Sequence, residues 1–470
     1  MPLADPSVAP LEYVEVGRIL PSPPDRSGVD DRSVPWQRPA VERPSPRSTA
    51  DRPFAPRRFP FFYGWWIVVV STIGVILSIP GQTMGVSVFT DDLLTATGLT
   101  RVQLANAYLA GTVASGLTLP FGGRLLDRFG ARTTATCASI GLGLTLLYLS
   151  VVDRLADPGV VAVLLLVLGF FALRFSGQGM LTMVSRTMLG RWFEKRRGLS
   201  SGISSVFVGF GFGVAPLVLD AWIERAGWRG AWREMALVVG VGMALVALVF
   251  YRDRPEDCGL EMDGEPSTPE RTKARAEEIA VPRSEAIRTL KFWAVTFALA
   301  VQALVITGIT FHIVDLGGRL GMERAEAVAI FLPMSVVSTS TALIGGYLGD
   351  RLRVKWLLVA MLVAQAVGVG ATVRLDALYP LVAGGLGIAG GLFGPIATIA
   401  FPRFFGRRHL GAIAGFEMMC VVLGSALGPS LLALGQDLSG GYALPLYGCL
   451  ALPAVALVLA LRLREPAITR

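Results

Sequence analysis

Arg174, Gln178, Thr182 and Ser185 recur at i, i+4, i+8 and i+11 of an otherwise apolar stretch, which on a helix places them in one stripe. Arg174 is the only formally charged residue between Asp157 and Arg186. A guanidinium so placed is suited to grip a carboxylate through two parallel hydrogen bonds. The structural alternative is a permanent interhelical partner, and Glu417, the single charge within residues 410–436, is the acidic candidate. Other apolar stretches carry polar faces of their own. Ser71, Ser78, Gln82 and Gly85 share one beside the Pro80-Gly81 interruption, and Gln302, Thr307, Thr310, His312 and Asp315 follow one another within residues 302–315. Ser335, Ser338 and Thr339 add only hydroxyls. The candidate ligand contacts are therefore Arg174, Gln178, Gln82, Gln302 and Thr307, and the candidate proton-exchanging groups are Glu417, His312 and Asp315, with His312 and Asp315 paired at i, i+3. The competing reading is hydrogen bonding between helices with no ligand.

Other chemistries find no support. No nucleophile–base pair, metal cluster or phosphate loop is visible, so neither an enzyme nor a cofactor is expected. Cys137, Cys258, Cys420 and Cys449 lie far apart, and two histidines in the whole chain make a structural zinc site a poor reading. Gly385, Gly387 and Gly390 match a dinucleotide-binding GxGxxG, but that fingerprint requires a preceding strand. Here the glycines sit in an uncharged run, residues 377–402, where small residues let membrane helices approach closely.

The elements that must hold these residues are set by the charge distribution. Of 470 residues, 53% are hydrophobic and only 17% charged, against roughly a quarter charged in a soluble protein. Ten runs lack Asp, Glu, Lys and Arg: residues 59–90, 102–123, 133–152, 199–219, 235–251, 292–314, 327–349, 356–373, 377–402 and 438–461. Residues 158–185 and 410–436 carry one charge each, which makes twelve spans. Each is close to the ~20 residues that cross a bilayer as a helix, and none alternates as a barrel strand would. Arginines and lysines crowd one set of loops, at 57–58, 124–132, 191–197, 351–355, 403–408 and 462–464. That set is expected to be cytosolic, with both termini inside. The net charge of +8 follows from this asymmetry and calls for no nucleic acid. Trp65, Trp66, Trp222, Trp228 and Trp232 fall at span ends, where interfacial aromatics belong. Residues 1–60 hold 13 of the 29 prolines, and the first 58 residues read as a disordered cytosolic tail.

The chain repeats itself. "RWFEKRRGLSSG" at 191–202 enters span five and "RFFGRRHLGAIAG" at 403–415 enters span eleven; "GGRLLDRFGAR" at 122–132 follows span two and "GGYLGDRLRVK" at 345–355 follows span eight. Both pairs lie on the same side, as a parallel six-plus-six repeat requires.

The segment from Gly123 through Asp127, Arg128 and Gly130 to Arg132 resembles the signature loop between helices two and three of the major facilitator superfamily. More narrowly, "YGWWIVVVS", "RWFEKRRGLSSGI" and "GWRGAW" resemble the monocarboxylate-transporter and oxalate–formate-antiporter branch. The resemblance implies an all-α membrane protein with twelve transmembrane helices in two six-helix halves. It also implies that Asp127, with Arg128 and the corresponding Asp350 and Arg351, latches the cytosolic side. Members of that branch typically carry a substrate-binding arginine in helix eight and several place a lysine in helix one or eleven; here residues 327–349 and 59–90 are uncharged, and span eleven has Glu417.

The expected organisation is a tail at 1–58, a first half at 59–251, a cytosolic loop at 252–291, a second half at 292–463 and a short tail at 464–470. The expected function is secondary transport of a small organic solute across the cell membrane by alternating access, by a monomer whose partners are that solute and lipid. An organic anion, with or without protons, is the leading class. Efflux of hydrophobic or cationic compounds, with Glu417 as the binding charge, and a sensor that binds without transport are the alternatives.

Overall fold

The structure is a computed structural model describing residues 52–155, 157, 159–266, 268–269 and 278–465. The described residues form helices and connecting turns with no strand, and they give an all-α membrane protein of twelve spans in two halves. Span one, Gly64–Ile76, breaks at a 3-10 turn, Ile79–Gly81, and continues as Thr83–Ser87 and Thr90–Thr97. Spans two and three form one helical run, Arg101–Leu149, divided at Gly130, whose φ of 81° reverses the chain where a β-carbon would be strained. Span four is Val160–Trp192, and spans five and six occupy Arg197–Phe250 on either side of Gly227, with φ 68°. Spans seven to twelve are Leu290–Arg319, Arg324–Gly349, Val354–Thr372, Tyr379–Phe405, Leu410–Ser439 and Ala443–Leu461.

Such helices satisfy their own backbone groups and can expose apolar side chains to lipid. Leu164, Leu217, Leu332 and Leu434 accordingly point outward. Inside, each half has its own packed interior. Tyr63, Trp192, Phe193 and Tyr251 anchor the first; Phe292, Leu358, Ile399 and Phe401 anchor part of the second. Trp228 and Trp232, in the first turns of span six after Gly227, are buried as an edge-to-face pair with centroids 5.4 Å apart. Their indoles fill the first half's core, where Trp232 also packs on Phe89.

Residues 52–58, assigned from sequence to the tail, are tied down. Phe54 packs 5.8 Å from Phe250, and the carbonyl of Arg52 accepts from Arg132; the rest of that tail lies outside the described residues. The central loop is also anchored where it is described. The Asp263 carboxylate accepts from the backbone N–H groups of Glu194, Lys195 and Arg196 at 2.9–3.1 Å. Farther along, the N–H of Val281 donates to the carbonyl of Phe405. One connection therefore grips the loop before span five and the loop before span eleven, at the arginine-rich end of the molecule.

Candidate functional site

Arg174 is fully buried, but it does not meet Glu417. The break in span one leaves the Gly81 carbonyl outside a regular helix, and Arg174 Nη1 donates to it at 3.1 Å and to Thr83 Oγ1 at 3.3 Å. The guanidinium also lies 5.5 Å from the Tyr108 ring centre. Gly81 and Gly177 make this approach possible: a β-carbon on Gly81 would stand 2.8 Å from the Cα of Gly177 and 2.6 Å from the Leu173 carbonyl. Arg174 thus caps a helix break, and the pairing with Glu417 expected as its structural alternative is not formed.

Glu417 instead faces Arg186. The two line one small void between spans four and eleven and interact electrostatically. Arg186 also borders a larger cavity of 170 Å³ between the halves, beside Ser185 from span four, Ser205 from span five, Ser338 and Thr339 from span eight, and Phe393 from span ten. Its guanidinium lies 5.4 Å from the centre of the Phe393 ring and has no hydrogen-bond acceptor among the described residues. A cation in an apolar bundle that is held by an aromatic face and left open toward a hydroxyl-lined space is equipped to receive an anion. The sequence reading missed Arg186 because it ended span four at Ser185, the residue before it. The available signal was the run of uncharged residues from Thr187 to Gly190 on its far side.

The remaining candidates fall into separate groups. Gln82 donates to Ser78 Oγ at 3.1 Å and to Thr182 at 3.4 Å, which joins spans one and four. Gln178 and Gln302 each bury an Oε1 with no partner among the described residues. Thr307 pairs with Ser425 at 3.0 Å between spans seven and eleven. His312 does not pair directly with Asp315. Its ring nitrogens meet the Pro429 carbonyl at 3.0 Å and the Tyr442 hydroxyl at 3.1 Å, while Asp315 accepts from Arg319 Nε at 3.1 Å. The i, i+3 spacing brings the two residues to one face, but Tyr442 stands between them.

At the arginine-rich end, two aspartates occupy corresponding positions. Asp127 accepts from the N–H groups of Gly411 and Ala412, at 2.8 and 2.7 Å, where span eleven begins, and from Arg191 Nη2 at 2.7 Å. Asp350 accepts from the N–H groups of Gly198 and Leu199, at 2.6 and 2.9 Å, where span five begins. A carboxylate at a helix N-terminus meets both unpaired donors and the positive end of the dipole. Arg128 and Arg351 stay beside their own spans, over the rings of Phe129 and Tyr347. Arg407 binds Glu278 by Nε at 2.8 Å and Nη2 at 2.7 Å, lies 2.9 Å from Glu256, and donates to the Arg191 carbonyl at 3.0 Å. Burial acts to raise the Glu278 carboxyl, but the hydrogen bonds and charge of Arg407 outweigh it and hold the group below its ordinary value.

The comparisons agree with this architecture. A family model described as Major Facilitator Superfamily matches residues 71–370. Monocarboxylate transporter 11 of Mus musculus is 26% identical over 349 residues, covering 70% of this chain and 72% of that one. The oxalate:formate antiporter of Oxalobacter formigenes is 22% identical over 186 residues, 39% of this chain and 42% of that one. Among solved structures, the proton:xylose symporter XylE superposes with a TM-score of 0.67 at 14% identity, over 85% of this chain and 95% of that one. Twelve apolar spans, a duplicated aspartate-to-helix contact and a family match over most of the spans lead to one conclusion: the chain belongs to the major facilitator superfamily, as a multi-pass membrane transporter.

Proposed function

We propose that the protein is a secondary active transporter of a small organic anion, and that Arg186 rather than Arg174 holds the substrate carboxylate. The observation that carries this reading is the Arg186 guanidinium, which borders the cavity between the halves without a hydrogen-bond acceptor among the described residues. Arg174, by contrast, already has the Gly81 carbonyl and borders neither cavity. Alternating access would open and close the two halves around Arg186, with Asp127 and Asp350 holding the arginine-rich end shut; the loop charges support placing that end in the cytosol. Glu417 is the proton-exchanging group in this scheme. Substrate entry would draw Arg186 toward the ligand, and a proton on Glu417 would replace the lost compensation.

The test is counterflow in proteoliposomes with a panel of labelled carboxylates. Arg186→Gln is expected to weaken substrate affinity by about tenfold to a hundredfold, the usual loss for a charge-assisted hydrogen bond. Arg174→Lys should retain affinity. The reverse pattern, with Arg186→Gln unaffected and Arg174→Lys crippled, would return the binding role to Arg174.

A further inference from the structure

Hydroxyls buried among membrane helices have an outlet that needs no ligand: they bond to a carbonyl three or four residues back on their own helix. Thr72, Ser139, Thr145, Thr372 and Thr398 all do so. Ser71, Thr112, Thr134 and Thr296 do not, and neither do the half-buried Ser205, Ser338 and Thr339. None of the three has a side-chain hydrogen bond to any described residue, and all border the cavity that Arg186 enters. They come from both halves, and each stands against a glycine. Ser205 Oγ would be 2.7 Å from a β-carbon on Gly394, Ser338 Oγ 3.5 Å from one on Gly390, and Thr339 Oγ1 3.4 Å from one on Gly209. Of the glycines that look like a nucleotide fingerprint in the sequence, Gly390 thus clears space in front of a hydroxyl, while Gly385 and Gly387 face neighbouring helices. The Gln302 amide, with its unpaired Oε1, reaches the same place, 4.0 Å from the Gly390 position.

We infer that the substrate is a sugar-acid-like anion, a carboxylate bearing several hydroxyls, with its carboxylate on Arg186 and its hydroxyls on Ser205, Ser338 and Thr339. This deepens the anion reading and rests on it. Buried polar groups left unpaired are costly, so an aliphatic acid filling this space would strand three hydroxyls that water had satisfied. A site built to hydrogen-bond a substrate hydroxyl rejects an analogue lacking it far better than an apolar pocket rejects an added one.

Three probes on the purified full-length protein separate the terms: gluconate, with both features; hexanoate, with the carboxylate alone; and sorbitol, with the hydroxyls alone. Calorimetry is expected to show gluconate binding at least about tenfold tighter than hexanoate, which leaves the hydroxyls unpaired, and no sorbitol binding. Hexanoate equal to gluconate, or no binding by any probe, overturns the hydroxylated-substrate inference and leaves the anion reading to its own carboxylate panel. Sorbitol equal to gluconate strikes the anion reading itself. The triple variant Ser205→Ala, Ser338→Ala, Thr339→Val should lose the preference for gluconate while keeping its melting temperature. A wild-type preference in that variant would assign the hydroxyls to helix packing and end the proposal.

Discussion

Arg186 and Arg174 show how little residue type decides on its own. Both are guanidiniums within span four, and the sequence singles out the one that turns out to be capping a backbone break. What distinguishes them is the geometry of other elements: the broken span one that comes to Arg174, and the cavity that opens beside Arg186. Neither is encoded locally. Glu417 was legible as an unusual charge, but its partner was not, because span eleven meets span four only after the halves assemble. The pairing gives a sharp expectation. Glu417→Gln should abolish accumulation driven by a proton gradient while sparing counterflow, since the binding arginine survives and the exchangeable proton does not. Proton-driven accumulation at the wild-type level in that variant would exclude Glu417 from coupling.

At the level of elements, the polar stripe read from the sequence holds only until Phe175. The π-helical turn at Phe175–Leu181 carries extra residues per turn, so the 3.6-residue period cannot be followed from Arg174 to Ser185. Repeats were more legible than stripes. Asp127 and Asp350 sit in the duplicated segments and make the same contact with the two helix starts, as "GGRLLDRFGAR" and "GGYLGDRLRVK" suggested. The crossings beside them match as well. A β-carbon on Gly123 would lie 2.1 Å from the Gly411 carbonyl, and one on Gly198 would lie 2.1 Å from the Gly346 carbonyl. Symmetry in the contacts implies symmetry in the response. Asp127→Asn and Asp350→Asn should each lower turnover about tenfold, the scale of one charge-assisted hydrogen bond, with little change in substrate affinity. Proteoliposome kinetics giving unchanged turnover in both folded variants would remove the latch role.

For the whole molecule, span number and the two halves were plain from charge spacing, whereas the folded part of the central loop was not. A mixed-charge connection reads as solvated until Asp263 and Glu278 are seen holding backbone and guanidinium groups on both halves. The Glu278 carboxyl is held below its ordinary value of 4.5. Its contribution is therefore complete above that value and is lost as the pH falls through the lower, folded-state value. Cleavage within residues 278–289 should be slow at about pH 7 and still slow near pH 5. Glu278→Gln should be cleaved quickly at both, and a wild-type protein that loosens already between those pH values would contradict the assignment. A different consequence follows from the facing charges of Arg186 and Glu417. Arg186 and Glu417 are one positive and one negative group, so the pair is neutral overall. An anion entering with a proton on Glu417 leaves it neutral again. On the proposed cycle, neither the loaded nor the empty form carries net charge across the bilayer, so the roughly 2.3 kcal/mol that 100 mV exerts on a moving elementary charge finds nothing to act on. Such a carrier would run on concentration differences of acid alone, indifferent to the electrical potential of its membrane.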